Sequence, residues 1–225
     1  MLGDDEFRSL AKYSMADEQR SQIWFDACHA RSGRPGVTAV ECGVGPGGRL
    51  ALAALAFRRS SAPRIIGFDR FEAPLEFSQN DTGFDTWERT FAKEQSLTTE
   101  MLGEVGDRQQ WINRVKTLVL STGYGGGGGE IDLVAGDLEV EAAKFVAKTN
   151  GDFSIDLLSV SCNFYGGVQA SVKSLFPFLS PGSFVMLDGY YYWGGFKAAC
   201  NALGVSEATP GTSQVGSCMI IEMPA

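Results

Sequence analysis

Residues 37–59 read VTAVECGVGPGGRLALAALAFRR and carry the strongest structural signal in the chain. A short β-prone run, Val37 to Val40, leads into a glycine-rich segment, and an Ala- and Leu-rich stretch, Leu50 to Arg59, follows it. This order predicts a strand, a tight turn and a helix. Glycines at 43, 45 and 47 would let the backbone turn sharply and approach a bulky ligand, and the N-terminus of the next helix offers N–H groups. We therefore expect Gly43, Gly45 and Gly47 to contact a cofactor.

Outward from this segment, β-prone runs alternate with helical ones. Helices are predicted at 17–31, 109–120, 139–148, 167–179 and 195–203, and further strands at 64–68, 131–134, 155–160, 184–187 and 218–222. A turn is expected at Ser180-Pro181-Gly182. Strands separated by crossover helices indicate an α/β fold with a mostly parallel, doubly wound sheet. We expect one domain over residues 1–225, with residues 36–225 as its Rossmann-like core.

Two segments interrupt the alternation. Residues 70–109 contain no strand signal but include a helical stretch at 84–94, so they are predicted to form an insertion that is a lid over the pocket, the contact of a homodimer, or both. Residues 125–129 are five consecutive glycines, which predict a flexible connection because glycine has the highest backbone entropy.

Composition limits the classes of partner. The chain has 225 residues, a formal net charge of -8 and no cluster of Lys and Arg, which disfavours nucleic acid and favours a small-molecule substrate. No apolar run reaches the roughly 18 residues of a membrane helix, and the acidic N-terminus lacks a basic signal-peptide flank. We expect no membrane association and a cytoplasmic location.

Cysteine and histidine usage excludes other chemistries. The five cysteines are far apart and form no C-x-x-C pair, so neither a disulfide framework nor a zinc site is indicated. The single histidine, His29, is interpreted as a polar position on the first helix.

Two cofactors compete for the glycine segment. Gly43-x-Gly45-x-x-Gly48 also fits a dinucleotide pattern, with Asp69 placed 21 residues later as a ribose ligand. Three features favour S-adenosylmethionine (SAM): Glu41 before the first glycine, a chain too short for a separate dehydrogenase domain, and a second acidic turn at Gly136-Asp137.

Under the SAM hypothesis, acidic residues at the strand ends bind the nucleoside. Asp69 would accept both ribose hydroxyls because a carboxylate has enough acceptor sites for two donors. Asp137 would lie near the adenine amine, and Arg70 and Ser161 are grouped with the cofactor contacts. The alternative is structural: Asp69 and Asp137 would cap the segments that follow them.

Three motifs resemble the macrocin O-methyltransferase (TylF-type) family of bacterial natural-product enzymes, which methylate sugar hydroxyls. Residues 40–48 are similar to its V-E-C-G-V-x-x-G-G, residues 68–74 to its D-S-F-E-G-L-P, and residues 179–188 to its L-S-P-G-G-F-V-I-V-D. The resemblance implies a class I SAM-dependent methyltransferase fold, with S-adenosylhomocysteine as the product of the cofactor.

The chain departs from that family where the family holds magnesium. The family's L-D-G-D-x-Y reads Val160-Ser161-Cys162-Asn163-Phe164-Tyr165, so both carboxylates are lost, and its paired acids after the next strand read Asp188-Gly189. Magnesium prefers hard oxygen ligands that include carboxylates. We therefore predict no metal ligands and no need for magnesium.

Residues for catalysis and substrate binding follow from the same strand ends. A hydroxyl acceptor needs a general base, and Asp188 is the first candidate and Tyr165 the second. Ser161 and Asn163 could orient the acceptor or merely satisfy the strand end. In the aromatic run 190–193, Tyr190 and Tyr191 are candidate stacking contacts for the substrate.

Three functions remain open at this level. The first is metal-independent O-methylation of a small secondary metabolite. The second is a SAM-binding enzyme repurposed for a cyclisation or rearrangement, which would explain the lost acids. The third is a non-catalytic subunit that binds SAM weakly or not at all.

Overall fold

The computed structural model describes residues 4–72, 107–149, 152–162 and 164–225. Its strands are β1 (Thr38–Cys42), β2 (Arg64–Asp69), β3 (Glu130–Ala135), β4 (Ile155–Val160), β5 (Leu179–Asp188), β6 (Thr212–Val215) and β7 (Cys218–Glu222). Its α-helices are α1 (Asp4–Ala11), α2 (Glu18–Arg31), α3 (Gly48–Phe57), α4 (Arg108–Leu120), α5 (Leu138–Lys148), α6 (Tyr165–Leu175) and α7 (Gly194–Ala202).

The strands form one seven-stranded sheet in the order β3-β2-β1-β4-β5-β7-β6. The first five are parallel, whereas β7 is antiparallel to both β5 and β6. The predicted α/β fold with a mostly parallel sheet is thus confirmed. The chain order reverses between β1 and β4, and ligands of such sheets bind at that reversal, outside the carboxyl ends of the strands.

Both faces of the sheet are covered by helices. Side chains from α1 to α4, such as Trp24, Leu50 and Val115, form one buried cluster with alternate strand residues. Side chains from α5 to α7, such as Val168 and Phe196, form the other cluster. Successive strand residues point to opposite faces of the sheet, and both faces pack against helices. The strands are therefore apolar on both sides, as expected of a parallel sheet between two helical layers.

The predicted turn at 180–182 is wrong, and so is the length of the helix before it. Pro177 cannot continue a helical hydrogen-bond ladder, so α6 ends at Leu175 and a 3-10 turn, Phe176–Phe178, follows. The chain then enters β5, whose pairing with β4 shifts register between Ile155 and Leu157. Within the resulting bulge, the Gly182 N–H donates to the Pro224 carbonyl at 2.9 Å.

Other differences are smaller. Helix α1 and strand β6 were not predicted from the sequence. The glycine run forms hydrogen-bonded turns, and the Ala62 N–H donates to the Gly127 carbonyl at 3.1 Å. Of the predicted insertion, residues 73–106, including the helix at 84–94, lie outside the described part of the chain. In the part described, no helix has the length and hydropathy needed to cross a membrane.

Candidate functional site

The glycine segment forms a tight turn between β1 and α3. Gly43, Gly45 and Gly47 have φ values of 88°, 51° and 95°, a conformation that favours glycine. A Cβ on Gly43 would lie 2.7 Å from the backbone nitrogen of Cys162 at the end of β4. This close approach explains why only glycine fits at residue 43, directly at the reversal of strand order.

The segment is tied to the end of β2 by Asp69. One carboxylate oxygen accepts the Gly45 N–H at 2.9 Å, and the other accepts the Phe71 N–H at 2.7 Å. Burial raises the pKa of Asp69, and these backbone donors oppose the rise. The Val44 and Arg70 N–H groups also donate to this carboxylate, so backbone donors use its acceptor sites and Asp69 fixes the glycine turn.

The N–H groups at the start of α3 are less open than the sequence suggested. The Gly48 N–H donates to the Tyr13 carbonyl at 3.2 Å, and the Leu50 N–H donates to the buried Glu41 carboxylate. On the other side of the turn, the Trp111 indole N–H donates to the Gly45 carbonyl at 2.9 Å. The expectation of free donors at the helix terminus is therefore corrected: the protein itself uses two of them.

Glu41 lies on β1 beneath α3 and is 2% exposed. One of its oxygens, Oε2, has no hydrogen-bond partner among the described residues. Burial raises the pKa of Glu41 to about 8, although the nearby Arg49 lowers it. Burying a carboxylate oxygen without a hydrogen-bond partner costs folding free energy. A polar ligand group beside the glycine turn could supply that partner.

The sheet brings a second cluster together at the ends of β4 and β5. Ser159, Ser161 and Asp188 occupy alternate strand positions on the face that α3 covers, and Arg49 of α3 is 4% exposed against them. The Arg49 guanidinium donates to Ser161 Oγ and Asp188 Oδ2 through Nη1 and Nη2, and Nη1 also donates to Ser159 Oγ at 3.3 Å.

Asp188 has a second cationic partner. Arg20 of α2 donates to its Oδ1 at 2.5 Å, and the Cys218 thiol donates to the same oxygen at 2.9 Å. Burial alone would raise the pKa of Asp188, but the two guanidinium groups outweigh burial and hold that pKa well below its ordinary value. A carboxylate paired in this way is a weak proton acceptor, which disfavours the general-base role predicted for it.

The cluster does not fit a magnesium ion. Both oxygens of Asp188 and the hydroxyl of Ser161 accept hydrogen bonds from arginine, whereas Mg²⁺ needs near-octahedral oxygen ligands at about 2.0–2.1 Å. In the part of the chain that the structure covers, no three His, Cys, Asp or Glu side chains are grouped to hold a metal.

The remaining predicted residues lie along the carboxyl ends of the parallel strands. Asp137 precedes α5 without capping it by its side chain and forms an ion pair with Arg70, Nε to Oδ1 at 3.3 Å. Tyr165 begins α6, and its hydroxyl accepts from Gln169 Nε2 at 3.4 Å. Asn163 lies outside the described residues. Ser161 joins the ends of β4 and β1, because its N–H donates to the Cys42 carbonyl at 2.7 Å.

The structure disfavours the predicted substrate contact at Tyr190. Its ring is fully buried, and its hydroxyl donates to Asn201 Oδ1 at 2.9 Å and Glu207 Oε2 at 3.1 Å. The run 190–193 forms turns rather than an extended strand, so inside and outside positions do not alternate. Tyr191 is half-buried with its ring edge-on to that of Tyr190, and Tyr192 is the exposed tyrosine of the run.

The sequence reasoning missed Arg20, Arg49, Ser159 and Cys218. A signal for Arg49 existed, since it is the one charged residue in the apolar helix GRLALAALAF. A buried charge in such a helix requires a partner. For Arg20 the sequence offered none, because α2 carries many polar residues of which Arg20 is an ordinary example.

The sheet order is that of the Rossmann-like class I methyltransferase fold. The chain resembles the O-methyltransferase NovP, with a TM-score of 0.69 and 15% identity over 95% of this chain and 83% of NovP. It also resembles the calicheamicin methyltransferase CalS11, with a TM-score of 0.61 and 16% identity over 97% of this chain and 91% of that one.

A third similar structure is the O-methyltransferase TomG from Streptomyces achromogenes in complex with SAM, with a TM-score of 0.53, 11% identity, and coverage of 98% of this chain and 91% of TomG. At these identities the likeness defines the fold. No protein-family model matches the chain, and no curated protein matches it.

Proposed function

We propose that this chain is a SAM-dependent methyltransferase that methylates a hydroxyl of a small secondary metabolite and needs no divalent metal. The observation that carries the proposal is the link between Asp69 and Gly45. It joins an acid at the end of β2 to a glycine turn at the reversal of strand order, where α/β sheets bind nucleosides.

The residues around this link fit SAM. Gly43 lets the glycine turn pack against the end of β4, and Asp69 holds that turn at the end of β2, where the ribose is proposed to bind. Glu41 has a buried oxygen without a partner among the described residues, and it lies beside the turn. Arg70 and Asp137 stand together at the neighbouring strand end, where the adenine is proposed to bind. Three structural relatives support the proposal as analogy, since they are named methyltransferases and TomG was crystallised with SAM.

SAM supplies a methyl group on a sulfonium sulfur whose positive charge is lost on transfer. The protein contributes alignment, for which effective molarities of about 10⁵ to 10⁸ M are known, and exclusion of water. Asp188 is proposed to hold Arg49 rather than to remove the acceptor proton. Tyr165 stays the candidate for that step, and Ser161 for orienting the acceptor.

The substrate class rests on the motifs at 40–48, 68–74 and 179–188, which resemble the TylF-type family, and on the names of similar structures. One structure of CalS11 is described as a TDP-rhamnose 3'-O-methyltransferase of calicheamicin biosynthesis. A sugar or aromatic hydroxyl of a natural product is therefore proposed as the acceptor.

Binding and label transfer test the proposal. We expect calorimetry to show binding of SAM and S-adenosylhomocysteine but not of NAD. Asp69→Ala should weaken SAM binding by about a hundredfold, or about 2.7 kcal/mol, whereas Lys144→Ala on exposed α5 should leave it unchanged. Binding of NAD in place of SAM would overturn the proposal.

One observation favours a second function, a SAM-binding enzyme that does not transfer methyl. Asp188, the strongest candidate for a base, is committed to two arginines. Incubation with methyl-labelled SAM and candidate substrates separates the two functions, because labelled product supports methyl transfer and unlabelled conversion supports a rearrangement.

A further inference from the structure

We propose that Arg49 is the built-in cation of this site and takes the position that a divalent metal ion would need. The inference deepens the proposed function, since it concerns the acceptor side of the methyltransferase site. Its metal-binding test does not require methyl transfer to be observed.

The first argument is position. Arg49 is the second residue of α3, so its side chain leaves the helix directly beside the glycine turn. The carboxyl ends of β4 and β5 present Ser161 and Asp188 on the face that α3 covers. A cation placed among these oxygens would have to occupy the volume that the Arg49 guanidinium fills.

The second argument is that Arg49 already donates hydrogen bonds to the oxygens of the cluster. Nη1 of Arg49 donates to Ser159 and Ser161, and Nη2 donates to Asp188. The oxygens that could coordinate a hard cation therefore already accept hydrogen bonds from the guanidinium group. The planar arrangement of its N–H donors matches the geometry of a carboxylate, which a spherical ion cannot do. Nε of Arg49 is buried and has no partner in the part of the chain that the structure describes.

The third argument is charge. Arg20 and Arg49 both pair with Asp188, and Arg20 also pairs with Asp17, so two guanidinium groups are balanced by two carboxylates. Glu41 adds little negative charge at neutral pH, because burial raises its pKa to about 8. The cluster thus has no net negative charge to attract a divalent cation, and its buried guanidinium group can stabilise an acceptor oxygen that becomes negative during reaction.

The proposed role also accounts for the neutral side chain at residue 161. An acid at residue 161 would pair with Arg49 instead of binding metal, so Ser161, which accepts a hydrogen bond without adding charge, suits a site that already contains its cation. Arg49 is then a positioning residue for Ser161 and Asp188 as well as a fixed positive charge in a buried environment.

A manganese titration tests the inference, with free Mn²⁺ followed by electron paramagnetic resonance. The wild-type protein and Ser161→Asp should leave Mn²⁺ free. The double variant Arg49→Ala/Ser161→Asp replaces the cation by a second acid and should bind Mn²⁺ at least about tenfold more tightly than the wild type. The matched control is Arg58→Ala/Ser161→Asp, because Arg58 pairs with Glu6 at the surface.

Two results would overturn the inference: stoichiometric Mn²⁺ binding by the wild type that Asp188→Asn abolishes, or equal Mn²⁺ affinity of the two double variants. If Arg49→Ala/Ser161→Asp does not fold, Arg49→Met/Ser161→Asp keeps the aliphatic volume and is compared with the same control. Calorimetry with SAM on the wild type is a separate measurement, so failure of the proposed function would be distinguished from failure of this inference.

Discussion

Nη1 of Arg20 in α2 lies 2.5 Å from Oδ1 of Asp188 at the end of β5, although the two residues are 168 positions apart in the sequence. Arg20 also donates to Asp17, which caps α2, and to Ser217 before β7. The contact fixes α2 over the carboxyl edge of the sheet. The site is consequently built from both ends of the chain.

Asp188→Asn should lower the free energy of unfolding by about 3 to 5 kcal/mol, because it leaves the buried Arg49 without its charge partner. Urea unfolding at neutral pH measures the loss. Glu6→Gln, which removes the surface partner of Arg58, should cost less than about 1 kcal/mol. Similar losses in the two variants would contradict the assignment of Asp188 as the anchor of the cluster.

Glu41 makes stability depend on pH. Its pKa rises from 4.5 to about 8 on folding, so the folded state binds the proton more tightly than the unfolded state does. The contribution is complete below the unfolded pKa and is lost as pH rises through the folded pKa. At 1.36 kcal/mol per pKa unit, the full loss is on the order of 5 kcal/mol.

Glu41→Gln should therefore gain stability relative to the wild type between about pH 5 and pH 9. Thermal unfolding of both proteins across this range measures the difference. Glu130→Gln, at an exposed strand end, is the control and should follow the wild-type profile. A pH profile of Glu41→Gln parallel to that of the wild type would argue against a buried, protonated Glu41.

Gly43→Ala should destabilise the protein by at least about 2 kcal/mol and abolish cofactor binding. Its φ of 88° is strained for alanine, and the new Cβ would meet the Cys162 backbone at 2.7 Å. Gly126→Ala is the matched control, because a Cβ there meets nothing within 4 Å. Unfolding and SAM calorimetry on both variants separate a specific requirement at residue 43 from a general cost of losing glycine.

Tyr190→Phe should lower stability by about 1 to 2 kcal/mol through the lost hydrogen bonds to Asn201 and Glu207. It should leave substrate preference unchanged, because the ring is buried in the core. Tyr192 is 53% exposed, so Tyr192→Phe removes no core contact and should change neither stability nor substrate preference. A changed product profile for Tyr190→Phe with unchanged stability would restore the substrate-contact hypothesis.

Much of the fold follows from local sequence. The glycine turn, the five parallel strands and the helices between them were predictable because hydrophobic period and glycine placement act within a few residues. The boundaries near 176–182 were not, because the bulge in β5 depends on pairing with Ile155 and on the bond from Gly182 to Pro224. Both partners are distant in the chain.

For the site, the sequence by itself determined the glycine turn that is proposed to hold the cofactor, since Gly43, Gly45 and Gly47 act through their own backbone conformation and Asp69 through its place at a strand end. Only the tertiary structure decided the electrostatics of the acceptor side. Arg20, Arg49 and Asp188 meet because α2 and α3 pack over the carboxyl ends of β4 and β5. Charge pairing depends on distance in space, which helix docking sets and local pattern does not.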